Sequence, residues 1–312
     1  MSADVDVFLS GLLFYDLVFT GLEDAPKLGT ETWTGGMASG PGGIANFAVT
    51  LGRLGLRTSL AAAFGDDSYG RHCWDTLESE GVDLSPSRRL TGWNTPVTVS
   101  LAYQGDRALV THGAEPPGTP EDLLGEPPTA RASIVHLEAG PVQASGLIFA
   151  DLGWDPSQEW SPDVLDQLAG CHAFMPNAYE AMSYTRTDTP EAALAKLGEL
   201  VPLAVVTCGV EGVLAVDATT GESARVPGLA VDAIDPTGAG DVFGASLVAA
   251  TLAGWPLADR LRFANLSAAL SVQGIGGSMA APGWTGIARW WQDVTDPDLR
   301  RDYAFLSDVI PQ

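Results

Sequence analysis

The sequence is poor in basic residues. Only 16 of its 312 residues are Lys or Arg, against 39 Asp or Glu, which gives a formal net charge of −23 at pH 7. Lysine itself occurs only as Lys27 and Lys196. Because a chain this acidic repels polyanions and anionic lipid surfaces, we expect neither nucleic acid nor a membrane as a partner.

Long hydrophobic runs are also missing. No uninterrupted apolar segment approaches the roughly 18 residues that a membrane-spanning helix requires. The N-terminus carries Asp4 and Asp6, whereas a secretory signal would be basic there and would be followed by an apolar core. We therefore expect a cytoplasmic protein.

Cysteine is scarce, and several catalytic motifs are absent. Cys73, Cys171 and Cys208 are isolated and lack CxxC spacing, which argues against a disulfide framework and a thiolate zinc site. A Walker P-loop needs Lys followed by Ser or Thr, but Lys27 and Lys196 are each followed by Leu. The HRD loop of protein kinases, the HExxH zinc motif and the GxSxG nucleophile elbow are missing too. These absences argue against P-loop enzymes, protein kinases and the common hydrolases.

The segments that are present alternate between helical and extended patterns. Apolar residues from Ile44 to Leu54 recur at three-and-four spacing, which predicts a helix. A short strand pattern follows at 58–64 and a second helical pattern at 69–80, and the same alternation returns between 134 and 207. This order predicts an α/β fold in which helices cover both faces of a sheet. Because no linker composition interrupts the chain, we expect a single domain over residues 1–312.

Two regions break this alternation. Residues 97–103 and 107–111 are β-rich and joined by Gln104-Gly105-Asp106, which predicts a hairpin. The N-terminal region from Leu12 to Trp33 also lacks a helical pattern. We interpret these regions as a small β appendage on the main sheet, formed from about 12–34 and 93–112.

The sharpest Gly-rich segment covers residues 234–241, Ile-Asp-Pro-Thr-Gly-Ala-Gly-Asp, directly before a helical pattern over 242–253. Glycine lets backbone N–H groups approach a ligand closely, and a helix N-terminus favours negative charge, so this segment suits an anion. Asp241 would repel that anion unless it serves to take a proton from the attacking group. The alternative is that Asp241 only stabilises the first turn of the helix.

A second Gly-rich segment, residues 35–46, also leads into a helix. Gly40, Gly42 and Ala45 match the degenerate dinucleotide pattern GxGxxA, which keeps a nicotinamide or flavin enzyme open as an alternative. Asn46 could hydrogen-bond a polyol or cap locally.

Two further loops follow predicted strands, at 176–180 and 207–212. Open α/β sheets bind ligands at the carboxyl ends of their strands, so both loops are candidates for a ligand site. Each could equally be an ordinary connection.

Taken in this order, the segments closely resemble the two signature regions of the PfkB-type, ribokinase-like carbohydrate kinases. The first region is residues 42–55, GGIANFAVTLGRLG, together with 64–70, FGDDSYG, and the second is 235–243, DPTGAGDVF. The resemblance extends from about Val7 to about Ala288. It implies a three-layer α/β/α core with a β lid, and transfer of the γ-phosphoryl group of ATP to a sugar hydroxyl.

The resemblance also implies roles for individual residues, by position in the motifs. Asp241 matches the catalytic base of the family, and Gly238, Ala239 and Gly240 match the loop whose amides form its anion hole. Asn177 and Glu180 match the family's NxxE motif, which is associated with the placement of Mg²⁺ and phosphate. Thr207, Gly209 and Gly212 match the strand-end segment that lies along ATP, and Asn265 matches a residue near the nucleotide base. The positions that match sugar contacts are Asp16, Gly42, Gly43, Asn46 and Glu138. Lids of this family cover the sugar and often pair with the lid of a second subunit, so we also expect a homodimer through the β lid.

Two departures from the family pattern bear on specificity. Pro236 stands where the family usually has Thr, within the monovalent-cation loop that some members build around Asp235, so K⁺ stays open as a further cofactor. Gly42-Gly43 is not followed by Lys, as it is in many members that act on sugar phosphates. We therefore expect an uncharged sugar. A nucleoside kinase and a sugar-phosphate kinase of the same family stay open, as does a sugar-binding module without catalysis, against which Asp241 argues.

Overall fold

The computed structural model describes residues 3–117, 127–137, 144–155 and 157–311. The strands are β1 Val5–Ser10, β2 Leu13–Thr20, β3 Gly36–Gly43, β4 Thr58–Ala61, β5 Ala63–Gly65, β6 Arg88–Leu90, β7 Val97–Tyr103, β8 Asp106–His112, β9 Ala130–His136, β10 Leu147–Asp151, β11 Ala173–Phe174, β12 Leu203–Thr207, β13 Val213–Asp217 and β14 Glu222–Val226. The α-helices are α1 Ile44–Arg53, α2 Ser68–Ser79, α3 Ala178–Thr185, α4 Pro190–Leu197, α5 Ala239–Leu252, α6 Leu257–Ser271, α7 Trp284–Asp293, α8 Pro297–Asp302 and α9 Leu306–Val309.

The main sheet has the order β14-β13-β12-β11-β10-β9-β1-β4. The pairs from β4 to β12 are parallel, and the last two pairs, β12 with β13 and β13 with β14, are antiparallel. The predicted α/β class is confirmed, and the central sheet is mostly parallel.

Alternate residues of the central strands pack on opposite faces of this sheet. Ile134 and Phe149 belong to the core beneath α1 and α5, whereas their neighbours Val135 and Ala150 belong to a second core that includes residues of α3 and α4. Because successive side chains of a strand point to opposite faces, each strand supplies both cores. The result is three layers, with the sheet in the middle.

A separate small sheet has the order β3-β2-β7-β8. The predicted hairpin forms its β7–β8 half, with Tyr103 paired to Asp106 across the turn. The N-terminal half differs from the sequence interpretation, since β2 ends at Thr20 and the second strand is β3, which lies beyond the predicted lid bounds of about 12–34 and within the Gly-rich segment 35–46. Glycine has a low strand propensity, so the extended conformation of residues 36–43 depends on their pairing with β2.

The C-terminal helices cover the outer surface of α5 and α6. Phe263, Ile287 and Leu306 are fully buried in a third apolar cluster that joins these elements. In the described part of the chain, no helix is both long enough and apolar enough to cross a membrane.

Candidate active site

The two Gly-rich segments meet at their helix N-termini. Asn46, in the first turn of α1, donates from Nδ2 to Oδ2 of Asp241 in the first turn of α5, at 2.7 Å. Asn46 Oδ1 accepts from the backbone N–H of Ser278 at 3.4 Å. Residues that lie far apart in the chain are thus held as one polar cluster.

The start of α5 depends on a glycine. Gly238 is the N-terminal cap of the helix, with φ +71°, and no side chain caps this end of the helix. A Cβ at Gly238 would lie 3.2 Å from Asn46 Nδ2, in a backbone conformation that side chains rarely adopt. Gly238, Ala239 and Gly240 therefore lie at the positive end of the helix dipole, next to Asp241, and the N–H of Ala239 donates to the carbonyl oxygen of Pro236 at 3.3 Å.

Asp235 fixes the loop that leads into this helix. Its carboxylate is 1% exposed and accepts from the N–H of Thr237 at 2.9 Å, Gly276 at 2.8 Å and Gly277 at 3.3 Å. A buried carboxylate with hydrogen bonds to backbone amides is well stabilised. Asp235 therefore joins the loop before α5 to the turn at 276–277.

Burial and neighbouring charge raise the pKa of Asp241 to about 7. Desolvation is the largest cause and the charge of Asp151 adds to it, whereas the hydrogen bond from Asn46 and the charges of His136 and Arg107 act in the opposite direction. A carboxyl group with a pKa near neutrality is suited to exchange a proton at neutral pH.

Asp16 is the acidic residue that the small sheet contributes. It lies on β2, and a Cβ on Gly42 would come within 1.9 Å of its Oδ2, so only glycine leaves room for this carboxylate. Desolvation raises the pKa of Asp16 to about 7, with further contributions from the charges of Asp241 and Asp235. Asp16, Gly42 and Asn46 therefore lie around the same centre as Asp241, and Gly43, at φ +62°, caps α1 beside them.

Asn177 and Glu180 form a capping box at the start of α3. Asn177 Oδ1 accepts from the N–H of Glu180 at 2.9 Å, and Glu180 Oε2 accepts from the N–H of Asn177 at 3.0 Å. Asn177 also bridges to Thr207, the last residue of β12. These contacts account for the Asn-x-x-Glu spacing by helix capping.

The remaining predicted positions lie beyond β12 and on α6. Gly212 has φ +99°, and a Cβ there would lie 2.1 Å from the carbonyl oxygen of Val226, so the loop that contains Gly209 and Gly212 requires glycine at 212. Asn265 is 9% exposed and donates from Nδ2 to the carbonyl of Pro227 at 3.1 Å. Its amide thus ties α6 to the end of β14.

Two further residues that act on Asp241 lie at the carboxyl ends of neighbouring strands. His136 ends β9, Asp151 ends β10, and they are partners in the parallel register. His136 Nε2 lies 3.5 Å from Asp151 Oδ2, and the charges of both act on Asp241. From the small sheet, Arg107 Nη1 donates to the carbonyl oxygen of Pro236 at 3.3 Å.

Comparison with known proteins identifies the family. The model of the pfkB family carbohydrate kinases matches residues 9–139 and 142–283. The chain belongs to this family. It is a carbohydrate kinase, that is, a phosphotransferase, and both predictions are confirmed.

Relatives of this kinase act on different acceptors by name. A nucleoside kinase from Methanothermobacter thermautotrophicus is 30% identical over 296 residues, covering 88% of this chain and 91% of the relative. A fructokinase from Klebsiella pneumoniae is 32% identical over 276 residues, covering 78% and 89%. An Escherichia coli protein assigned as ribokinase II, solved with ATP and Mg²⁺, superposes with a TM-score of 0.71 at 21% identity, covering 91% and 99%. This last likeness supports the ribokinase-like fold.

Sequence reasoning missed three residues of the candidate site, namely Arg107, His136 and Asp151, whose charges act on Asp241. His136 and Asp151 are polar residues at the ends of predicted strands, which is a usable signal for an α/β sheet. Arg107 gave no signal because its position depends on how the small sheet packs. Glu138, predicted as a sugar contact, lies outside the described residues.

Proposed function

We propose that this kinase transfers the γ-phosphoryl group of ATP to a hydroxyl of a small, uncharged sugar. The observation that carries the proposal is the hydrogen bond between Asn46 and Asp241, because it brings the proposed sugar-binding segment onto the proposed catalytic helix. Asp16 lies beside them on the small sheet, close enough for its charge and that of Asp241 to interact. The acceptor hydroxyl and the phosphoryl group would meet at this point.

In the proposed reaction Asp241 is the general base. Its carboxylate accepts the proton of the acceptor hydroxyl while the oxygen forms a bond to the γ-phosphorus, and the bond to the leaving oxygen of ADP breaks. The amides of Gly238, Ala239 and Gly240 stabilise the negative charge on the transferring group as an anion hole. The N-terminus of α5 adds the favourable field of its dipole.

Mg²⁺ fits the chemistry of the residues present. In the part of the chain that the structure describes, no group of three or more His, Cys, Asp or Glu could hold a metal on its own. Mg²⁺ characteristically binds through one or two carboxylates with substrate phosphates and water, so Glu180 is the residue that we propose to hold it, indirectly. When bound, Mg²⁺ neutralises charge on the phosphates. Asn177, Thr207, Gly209, Gly212 and Asn265 are proposed to line the ATP side.

The charge of the site favours an uncharged acceptor. The charge of Asp241 acts on Asp16 and the charge of Asp151 acts on Asp241, and Arg107 is the cation that acts on both Asp16 and Asp241. A phosphate group on the acceptor would be repelled by the excess negative charge of these carboxylates. Gly42, Gly43 and Asn46, with Asp16, are the proposed acceptor contacts.

A nucleoside is the second candidate acceptor. The observation in its favour is the nucleoside kinase relative, which is 30% identical over 88% of this chain. Nucleosides are also uncharged, so the acidic site does not separate them from free sugars.

We further propose that the small sheet is a lid through which two copies of the kinase pair. Strand β8 is an edge strand, and Leu109 and Val110 on it are 53% and 63% exposed. An exposed edge strand with apolar residues invites pairing. A cytoplasmic location and activation by K⁺ near Asp235 stay predictions, and equal rates in KCl and NaCl at one ionic strength would contradict the second.

The experiment that tests the function is an acceptor panel. Purified kinase is incubated with MgATP and free sugars, nucleosides or sugar monophosphates at equal concentrations, and ADP release is measured against phosphorylated product. We expect turnover on an uncharged acceptor, lowered at least about 100-fold in Asp241→Asn. Preference for a sugar phosphate would overturn the assignment of the acceptor, and near-normal turnover of Asp241→Asn would overturn the assignment of the base.

A further inference from the structure

The buried face of the small sheet carries one hydroxyl group into the loop before α5. Residues of β7 alternate between buried and partly exposed, and Thr98, Ser100 and Ala102 form the buried face. Ser100 is 1% exposed, and its Oγ lies 2.9 Å from Oγ1 of Thr237, which is 7% exposed. Each hydroxyl satisfies the other in a place shielded from water.

Two more contacts join the same sheet to the same region of the main domain. Arg107 on β8 donates to the carbonyl of Pro236. On the other edge, β3 packs against the turn at 275–279, so that a Cβ at Gly276 would lie 3.0 Å from Cβ of Ala38. Asp235 ties this turn to the loop before α5. The small sheet therefore touches both backbone segments that Asp235 joins.

The Ser100 contact lies one residue from the proposed anion hole. Thr237 directly precedes Gly238, whose left-handed conformation sets where α5 begins. The N–H of Thr237 is held by Asp235, which leaves the Thr237 hydroxyl as the side-chain contact between this loop and β7. A shift of Thr237 would move the amides that follow it.

The acceptor side of the site lies on the same face of the same sheet. Strands β2 and β7 are parallel neighbours in which Asp16 is opposite Thr98 and Val18 is opposite Ser100. Register partners share a face of a sheet, and residues two apart on a strand also share a face. One strand pair thus carries both Asp16 and Ser100 toward the catalytic helix.

We infer that Ser100 is a positioning residue for phosphoryl transfer, whose hydroxyl docks on Thr237 and sets the anion-hole loop when the small sheet lies over the acceptor. The inference rests on the proposed function, because it takes the amides after Thr237 to bind the transferring group. The hydroxyl pair of Ser100 and Thr237 then links the sheet that carries Asp16 to the amides that bind the transferring phosphoryl group. Small displacements of groups that bind the transition state lower kcat more than they weaken ground-state binding.

The test compares variants that remove or keep this hydroxyl pair. Ser100→Ala and Thr237→Val remove it, and Thr237→Ser keeps it. Thr98→Val is the matched control, because the Thr98 and Thr111 hydroxyls lie 3.0 Å apart within the same sheet and do not reach the loop. For each protein, kcat and both KM values are measured, together with amide hydrogen exchange of peptides that span 233–243.

We expect Ser100→Ala and Thr237→Val each to lower kcat about 10- to 100-fold with KM for the acceptor changed less than about threefold. The double variant should lose no more than either single one, since both remove the same contact. Hydrogen exchange at 233–243 should speed up in these variants, and Thr237→Ser and Thr98→Val should resemble the wild type in both measurements.

Other outcomes overturn the inference. A kcat within about twofold of the wild type in Ser100→Ala, or an equal loss in Thr98→Val, would assign Ser100 to the stability of the sheet alone. Unchanged hydrogen exchange at 233–243 would show that Ser100 does not hold the loop, whether or not an acceptor is known. A wild type that phosphorylates no acceptor would instead reject the proposed function, and with it the catalytic half of the inference.

Discussion

The hydrogen bond from Asn46 to Asp241 controls how readily this carboxyl group ionises, and its removal should change the pH dependence of the kinase. Asn46 is 4% exposed and donates to the Asp241 carboxylate at 2.7 Å. A donor favours the ionised carboxylate, so this bond opposes the burial that raises the pKa of Asp241 to about 7. Leucine has a similar branched shape but cannot donate a hydrogen bond. We therefore predict that Asn46→Leu raises the pKa of Asp241 further.

The size of this shift follows from the energy of such bonds. A hydrogen bond to a charged group contributes about 1.5–3 kcal/mol, and one pKa unit corresponds to about 1.4 kcal/mol, so the pKa should rise by about one to two units. With a pKa of about 7, half of Asp241 is ionised at neutral pH in the wild type. In Asn46→Leu that fraction falls to between about one-tenth and one-hundredth, which lowers kcat/KM at pH 7 about 5- to 50-fold.

The assay is the pH dependence of kcat/KM between about pH 6 and about pH 10 at saturating Mg²⁺. The acid limb of the profile should move to higher pH in Asn46→Leu, and most of the activity should return above the new midpoint. Thr98→Val should keep the wild-type profile. A loss that persists at high pH, with an unmoved midpoint, would refute the reasoning and assign Asn46 to acceptor binding alone.

Three further predictions concern stability, the metal and the lid. The raised pKa of Asp241 means that the folded protein holds this proton more tightly than the unfolded chain does, so stability is lost as pH rises from the unfolded value of 3.8 through about 7. Asp241→Asn should therefore be more stable than the wild type at pH 8 by about 1–2 kcal/mol. This gain is smaller than the full shift of about 4 kcal/mol because Asp241 as a residue is only partly buried. Urea unfolding in which the stability of the variant relative to the wild type is no greater at pH 8 than at pH 4 would contradict this. Glu180→Gln keeps a side chain that can complete the capping box, so it should raise the Mg²⁺ concentration for half-maximal rate without lowering Tm, and an unchanged Mg²⁺ titration would leave Glu180 with its capping role only. Deleting the turn residues 104–106 should raise the ratio of ATP hydrolysis to acceptor phosphorylation and weaken the dimer, and light scattering that reports a monomeric wild type would reject the dimer.

Local patterns in the sequence predicted the main architecture and singled out the two Gly-rich segments that meet at the candidate active site. Helix starts at 44 and 239 follow Gly-rich segments, and the alternation of strands and helices around them identifies an α/β sheet. These features depend on neighbouring residues, since glycine fixes the close backbone approach and apolar spacing fixes the buried face. The observed hydrogen bond between Asn46 and Asp241 then brings both segments to one point, as their shared resemblance implied.

The capping box shows where a motif alone is ambiguous. Asn177 and Glu180 satisfy each other's backbone N–H groups at the start of α3. The same two residues complete the helix cap and, by the family resemblance, are expected to help to place Mg²⁺ and phosphate. The motif predicted a role for Asn177 and Glu180 but did not distinguish helix capping from the placement of Mg²⁺.

Only the tertiary structure decided which strands pair and what their pairing brings together. Residues 36–43 are too rich in glycine to predict a strand, and they become one because β2 lies beside them. His136 and Asp151 become neighbours through the parallel register of β9 and β10, and Ser100 reaches Thr237 across 137 residues. Sequence periodicity indicates which face of a helix or strand is buried. It does not indicate which element packs against that face, because this depends on contacts between distant parts of the chain.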